Sequence, residues 1–256
     1  MDKVSYTWGA FAELNQKYWA VRTGYFLVPV VSNDNRYDAH VFARGEYIAE
    51  LELRYSLFSL PGKLRLMPWV NIADAGSYAE ALAEPPSLPN YPDITQTRRV
   101  RSDYGIVVNA EQEITMDFGV FSRVTLNAGQ TEIIGWTDCN ESISFGAVLK
   151  GTSWGREDDR VGVGAVVEGL SPEARAYFAA GGLGIVIGDG RLNYRPETAI
   201  ESSPATTNSL RIPPTMPTGD RCQYSRRAST RNFDNRPSCI VCSPKLGCAI
   251  AGGPHD

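Results

Sequence analysis

The sequence predicts an all-β protein of antiparallel strands, and three observations support this. Short stretches along most of the chain alternate apolar and polar residues, which is the pattern of strands with two different faces. Tight turns alternate with longer polar connections, as in a series of consecutive hairpins. Aromatic residues recur near the predicted strand ends, at Tyr6, Trp8, Tyr18, Trp19, Tyr47, Phe58, Trp136 and Trp154.

The first four predicted strands form two pairs. YTWGAFAELN (6–15) and YWAVRTGYFLV (18–28) come first, and EYIAELELRYSLF (46–58) and KLRLMPWVNI (63–72) follow. In the third strand, apolar residues such as Leu51 and Leu53 alternate with Glu50, Glu52 and Arg54. The third and fourth strands are predicted to form a hairpin around the turn SLPGK.

Four further strands are predicted in the second half of the chain. They are DYGIVVNAEQEI (103–114), MDFGVFSRVTLNAG (116–129), SISFGAVLKG (142–151) and RVGVGAVVEG (160–169). One short helix is predicted near 171–181, because Ser171 is an N-cap residue, Pro172 suits the first helical position and Gly181 can end the helix.

Alternation alone leaves two architectures open. A soluble β-sandwich buries its apolar face, whereas a membrane barrel turns the same face towards lipid. The aromatic residues near strand ends are typical of the two girdles of a barrel at the membrane interfaces, although core aromatics are the ordinary alternative. Long connections that alternate with tight turns also favour the barrel.

Composition excludes several classes of function. The net charge of −4 gives no general attraction to nucleic acid or to acidic lipid. No stretch reaches the roughly 18 apolar residues of a membrane helix. The first 16 residues lack the pattern of a secretory signal, so we expect that this chain carries no signal peptide.

Several long stretches resemble the carbohydrate-selective porins of the OprB family. They include GYFLVPVVSND, RGEYIAELELRYSLFSLPGKLRL, EIIGWTDCNESISFGAVLKGTSWGR and GLSPEARAYFAAGGLGIVIGDGRLNYRPETAIES, in that order. The resemblance implies an incomplete antiparallel transmembrane β-barrel over residues 1–202, similar to the second half of a family member without its early strands. It also implies passive diffusion of sugars across the outer membrane, contact with outer-membrane lipid, and assembly machinery for intact relatives.

The candidate sugar-binding residues follow from the polar face of the predicted strands. A neutral sugar needs hydrogen-bond donors and acceptors, together with aromatic faces for its C–H surfaces. The lumen-facing candidates supply these types, and most of them are also expected to solvate the wall of a water-filled channel. They are Glu50, Glu52, Arg54, Lys63, Arg65, Trp69, Asn71, Arg123 and Asn127.

Residues 203–256 are predicted to be a disordered, frameshifted tail. Family members end in something like DYQFIANPAYNADRGPVSIFAARLHAEF followed by a stop. Codons for NPAYN and for LHAEF with its stop, read one nucleotide late, give Ile212 to Met216 and Ser229 to Phe233. On this interpretation the copy is truncated and non-functional. The four tail cysteines, Cys222, Cys239, Cys242 and Cys248, then form no zinc site, and the tail arginines bind no nucleic acid.

Two alternative functions remain open at this stage. One is a soluble β-sandwich that binds sugars. The other is a glycosidase that uses Glu50 and Glu52, although two carboxylates side by side on one strand do not flank a glycosidic bond. GLGIVIGDG lacks the spacing of a dinucleotide-binding loop, so no cofactor is predicted.

Overall fold

In the part of the chain that the structure describes, nine strands form one sheet in which each strand pairs antiparallel with the next one along the chain. The computed structural model describes residues 7–32, 34–84, 91–135, 138–184 and 193–205. Within those residues two short α-helices lie in the connections, α1 (Tyr78–Ala83) and α2 (Pro172–Ala179). The strands are β1 (Gly9–Asn15), β2 (Trp19–Phe26), β3 (Gly45–Leu57), β4 (Leu60–Ala75), β5 (Arg99–Glu113), β6 (Phe118–Asn127), β7 (Glu141–Lys150), β8 (Arg160–Gly169) and β9 (Glu197–Ala205).

The sheet is open within the part of the chain that the structure describes. β1 pairs only with β2, β9 pairs only with β8, and these two edge strands do not pair with each other. The prediction of an all-β, incomplete antiparallel barrel is therefore confirmed. The eight predicted strands are present, and β9 is an additional strand that the alternation did not indicate.

The connections are short at one end of the sheet and long at the other. Residues 16–18, 58–59, 114–117 and 151–159 link strands at the short end, whereas 27–44, 76–98, 128–140 and 170–196 link them at the long end. This confirms the predicted alternation of tight turns and long polar connections. No helix in the described part of the chain is long and apolar enough to cross a membrane.

The hairpin between β3 and β4 turns two residues earlier than its sequence indicates. Leu57 pairs with Leu60, and the two turn residues Phe58 and Ser59 have positive φ angles of 52° and 65°. These values suit the tight primed turns of hairpins, which usually contain Gly or Asn. Pro61, which the sequence places in the turn, lies instead in β4 and pairs with Ser56.

The predicted helix is present as α2, with the expected signals at both ends. The Ser171 Oγ accepts a hydrogen bond of 3.1 Å from the Ala174 amide, and Pro172 occupies the first position. At the other end Gly181 has a φ of 95°, and the Gly182 amide donates to the Tyr177 carbonyl. The sequence analysis did not predict α1. Its N-cap residue is Ser77, whose side chain accepts a hydrogen bond from the Glu80 amide.

The long connections build a core of their own. α1 and α2 pack together through seven buried residues, namely Tyr78, Ala81, Ile94, Leu170, Ala174, Tyr177 and Phe178. A second small cluster joins Val28 and Ile134 of the connections to Ala73 and Ala75 at the end of β4. The connections therefore cover one face of the sheet at its long end.

Glycines on the sheet allow close packing of aromatic rings. A Cβ added to Gly146 would lie 2.4 Å from the Val163 carbonyl oxygen and 2.5 Å from Cζ of Phe121. On the neighbouring strand, a Cβ on Gly119 would meet its first atom at 3.6 Å. The ring of Phe121 thus fills the space that a side chain on Gly146 would need.

We expect Gly146→Ala to lower the free energy of unfolding by about 1–3 kcal/mol, because the cross-strand backbone cannot move away from the new methyl group. Urea denaturation of the chain in detergent, followed by tryptophan fluorescence, measures this change. Gly119→Ala is the matched control and should shift the midpoint little. Equal midpoints for the two variants would contradict the packing described here.

Candidate functional site

The nine candidate residues lie on one face of the sheet, which we call the polar face. Cross-strand pairs share a face, and the register pairs Glu52 with Arg65, Arg65 with Asn109, and Asn109 with Arg123. The remaining candidates lie an even number of residues from one of these along the same strand. They are Glu50, Arg54, Lys63, Trp69, Asn71 and Asn127.

Glu52 is the centre of an ion-pair network on the polar face. Its carboxylate accepts hydrogen bonds from Arg22 at 3.0 Å, from Arg54 at 2.7 Å and from Arg65 at 2.8 Å. Its side chain is only 3% exposed. Arg22 and Arg65 reach the carboxylate from the two neighbouring strands and Arg54 reaches it from two residues along β3, so three guanidinium groups offset the buried charge of Glu52.

The network extends across five strands, from β1 to β5. Arg22 also pairs with Glu13 on β1 and with Glu50 on β3, and Arg65 pairs with Glu111 on β5. Sequence reasoning missed Arg22, Glu13 and Glu111 as members of this network. The sequence shows that polar and apolar residues alternate in these strands. Which side chains meet across neighbouring strands depends on how the strands are aligned, and the alternation does not give that register.

The other candidates differ in how they are placed. Trp69 and Asn71 are each 4% exposed, and the Trp69 ring lies over Gly105 on the neighbouring strand β5. The Asn127 side chain accepts a hydrogen bond from Asn140 at 3.1 Å. Among the described residues, Lys63 and Arg123 have no ion-pair partner, although both lie on the polar face next to the network.

The opposite face of the sheet, the apolar face, is exposed. It carries large apolar side chains on almost every strand, and Leu53 on β3 is 40% exposed. Other exposed members are Val21, Leu51, Tyr55, Val100, Tyr104, Ile106, Leu126, Ile143, Phe145, Val161, Val163 and Ile200. A single sheet with an exposed apolar face contradicts the soluble sandwich, which needs two sheets packed face to face.

Aromatic residues border the apolar face at both ends of the strands. Phe58, Tyr18 and Trp154 are exposed at the short end, and Trp8 is exposed at the long end. There, Tyr25 packs against Phe42 and Tyr47 with ring centroids 4.9 Å and 5.0 Å apart. This arrangement is typical of interfacial girdles. Tyr6 and Trp136, two of the predicted girdle residues, lie outside the described residues.

We expect Leu53→Arg to destabilise the protein in a lipid bilayer by about 2–4 kcal/mol, because it places a charge on the lipid side near the middle of β3. Urea unfolding in lipid vesicles measures the change, with residues 7–205 grafted into a complete β-barrel that closes the sheet. Val166→Arg is the matched control, since Val166 shares the polar face through its pairing with Ser144. If Val166→Arg proves the more costly, the two faces have been assigned the wrong way round.

Buried ion pairs hold the long connections together. Arg98 donates to both carboxylate oxygens of Glu132, at 2.6 Å and 2.8 Å, and Glu132 also accepts from the Gly76 amide at 2.7 Å. In the connection between β2 and β3, burial alone would raise the pKa of Asp38. Hydrogen bonds from His40 and Arg44 outweigh this effect and lower the pKa of that carboxyl.

The structure gives little support to hydrolytic or metal chemistry on the polar face. Glu50 and Glu52 lie side by side on β3 and share the guanidinium of Arg22, so they do not flank a space for a glycosidic bond. Within the described ranges, no three His, Cys, Asp or Glu side chains are arranged to hold a metal ion. The four tail cysteines lie outside those ranges.

Comparisons with known proteins decide the family. The family model described as "Carbohydrate-selective porin, OprB family" matches residues 4–203. The chain belongs to the OprB family. Members of this family are porins of the outer membrane, and porins are transport channels, not enzymes. No curated protein matches the chain.

A solved OprB has the same fold. The high-pH structure of OprB from Pseudomonas putida aligns with a TM-score of 0.52 and 18% sequence identity. The alignment covers 68% of this chain and 42% of the solved one. The chain thus spans less than half the length of that OprB, and the likeness at this identity concerns the fold alone.

Proposed function

We propose that the nine strands form part of the wall of an outer-membrane channel through which carbohydrates diffuse passively. One observation carries this proposal, namely the two-faced sheet with an exposed apolar face and an ion-paired polar face. In a barrel, the apolar face contacts lipid and the polar face lines the water-filled lumen. Membership of the OprB family supports sugars as the solutes.

The polar face suits neutral solutes better than ions. Most of its charges near the centre of β3 and β4 are matched within the network around Glu52, so a passing sugar meets a wall of fixed donors and acceptors. Lys63 and Arg123 have donors that no carboxylate of the described residues engages. We propose that these two residues, more than the buried Trp69 and Asn71, contact the sugar.

A chimera tests the proposed function. Residues 7–205 would replace the structurally equivalent strands of P. putida OprB, and the product would be reconstituted in liposomes. We expect the liposomes to swell in isotonic glucose, because the chimera supplies a complete wall. Replacing both Lys63 and Arg123 by Ala should change the rate at least severalfold, whereas Lys150→Ala at the short end should not.

A chimera that folds, as judged by heat-modifiable migration, but admits no sugar would contradict the proposed function. Unchanged rates in the double variant would contradict only the roles of Lys63 and Arg123. Monodisperse behaviour of the 256-residue chain without detergent would instead revive a soluble sugar-binding protein, because an exposed apolar face needs detergent or lipid.

The identity of the tail stays a prediction. The predicted boundary at residue 203 falls within β9, whose backbone extends to Ala205, and residues 206–256 lie outside the described residues. We propose that the tail is a frameshifted reading and that the copy is not a working channel by itself. The encoding DNA tests the first point, since its other frame should read NPAYNADRGPV and stop after HAEF.

A further inference from the structure

Two carboxylates and one amide lie side by side on the polar face, near the long end of the sheet. The register pairs Glu46 of β3 with Asn71 of β4, and Asn71 with Asp103 of β5. Cross-strand partners share a face, with their Cβ atoms about 4.5–5.5 Å apart. We call these three residues the acidic row. It lies roughly 20 Å along β3 from Glu52 and is separate from the ion-pair network.

The acidic row is buried. Glu46 is 8% exposed, Asn71 is 4% exposed and Asp103 is 6% exposed. Ala73, two residues beyond Asn71 on the same face, packs in the small cluster that joins the end of β4 to the connections. Carboxylates at this depth are costly unless positive charge balances them, so the row is a place where a cation is favoured.

The amide oxygen of Asn71 is the group in the row that indicates a ligand. Its Oδ1 atom is buried and accepts no hydrogen bond from any residue that the structure describes. A buried acceptor of this kind is unfavourable and calls for an explanation. Its register partners Glu46 and Asp103 carry carboxylates, which are acceptors when ionised and cannot donate to it. The partner of Oδ1 therefore has to come from outside the row.

A cation satisfies the row better than a water molecule does, because it binds acceptors on all three strands and also offsets their charge. Ca²⁺ takes carboxylate and amide oxygens at about 2.3–2.6 Å and completes its shell with water. Glu46 and Asp103 are two strand spacings apart, roughly 9–10 Å at the backbone, with Asn71 between them. Their side chains can therefore converge on one ion. Each carboxylate has two oxygens, so it can bind an ion and another donor together.

We propose that the acidic row binds one Ca²⁺ ion through the carboxylates of Glu46 and Asp103 and the Oδ1 atom of Asn71. The third ligand is an amide oxygen, so the row differs from the groups of three His, Cys, Asp or Glu considered above. The ion connects β3, β4 and β5 beside the long connections. The proposal goes beyond the passage of sugars, since it does not depend on which solute crosses the channel.

Terbium luminescence tests the proposal on the full 256-residue chain, refolded in detergent and stripped of divalent ions with a chelator. Tb³⁺ occupies Ca²⁺ sites and emits when a nearby indole is excited. The Trp69 ring lies over Gly105, two residues from Asp103 on β5, so an ion in the row has an indole close by. We expect saturable emission that CaCl₂ abolishes by displacing Tb³⁺. The chimera, in which the sheet is closed, should give the same result.

Two substitutions of Asn71 should change Ca²⁺ affinity in different ways. Asn71→Leu removes one of three protein ligands at similar size and should weaken binding about tenfold. Asn71→Asp supplies a carboxylate oxygen instead and should bind Ca²⁺ at least as tightly as the unsubstituted chain. If the Asn71 amide were turned round, so that its NH₂ group donated to both carboxylates, Asn71→Asp would only add repulsion and no binding would be seen.

Glu201→Gln is the matched control, because Glu201 is an exposed carboxylate of the polar face that pairs with Gly164, and Ca²⁺ affinity should stay unchanged. The proposal is overturned if the unsubstituted chain, with its β-sheet circular dichroism intact, shows no saturable Ca²⁺ binding. Equal affinities in Asn71→Leu and the unsubstituted chain would overturn it too. If Asn71→Leu does not refold, loss of binding in folded Asn71→Asp has the same meaning. Sugar flux through the chimera is a separate readout, so either proposal can fail alone.

Discussion

The 256-residue chain, refolded in detergent and added to a planar lipid bilayer, should give no stable single-channel conductance. β1 and β9 present free edges in the described sheet, and their unpaired amide and carbonyl groups cannot be satisfied by hydrocarbon. Each unsatisfied group in the bilayer core costs several kcal/mol. An open sheet of nine strands therefore cannot persist in lipid around a water-filled pore.

P. putida OprB under the same conditions is the positive control, and the chimera is the decisive comparison. If the chimera conducts and the isolated chain does not, the difference lies in closure of the wall. Discrete, long-lived conductance steps from the isolated chain, at a frequency proportional to its concentration, would show that the nine strands close in a way the described sheet does not reveal.

Removing the charge of Glu52 should produce the largest loss of stability of any single substitution on the polar face. Glu52→Gln leaves Arg22, Arg54 and Arg65 close together without the carboxylate that they share. Breaking a buried ion pair from one side costs about 3–5 kcal/mol, because the remaining charge is uncompensated. Urea unfolding of the chimera in lipid vesicles measures this loss.

Glu13→Gln is the matched control for this experiment. Glu13 also pairs with Arg22, but its side chain is 34% exposed and it lies on the edge strand β1. Exposed pairs contribute about 0–1 kcal/mol, so we expect a small change. Similar losses for Glu13→Gln and Glu52→Gln would mean that water enters the network freely and that Glu52 is not its centre.

The fold was predictable from sequence to the extent that it depends on local alternation. Eight strands and α2 follow from residue periods and from the cap at Ser171, which act within a few residues. α1 was also within reach, because Ser77 followed by Glu80 is a capping box before an apolar residue. β9 was not, since ETAIESSPA has no clear alternation and gains its place from pairing with β8.

The candidate site was predictable only in part, for a physical reason. Alternation assigned Glu50, Glu52 and Arg54 to one face, but it could not distinguish a lumen from a solvent-facing surface. The partners of Glu52 come from three strands, and the Trp69 ring lies over Gly105 of a neighbouring strand, so both depend on the register of the sheet. The packing of α1 against α2 brings together residues of separate connections, which no local pattern records.

The number of strands in the sheet limits what can complete it. All eight pairings are antiparallel, so strand direction alternates and β1 and β9 run the same way. Joining them directly would create a parallel seam, and a uniformly antiparallel barrel therefore needs an odd number of additional strands between them. A second copy of this sheet, inserted in the same membrane orientation, would supply nine more strands. Its first strand runs in the same direction as β9 and its last in the same direction as β1, so both seams between the two copies would be parallel. Closure with antiparallel seams thus requires strands that begin and end in the opposite direction, which excludes a simple pair of identical halves.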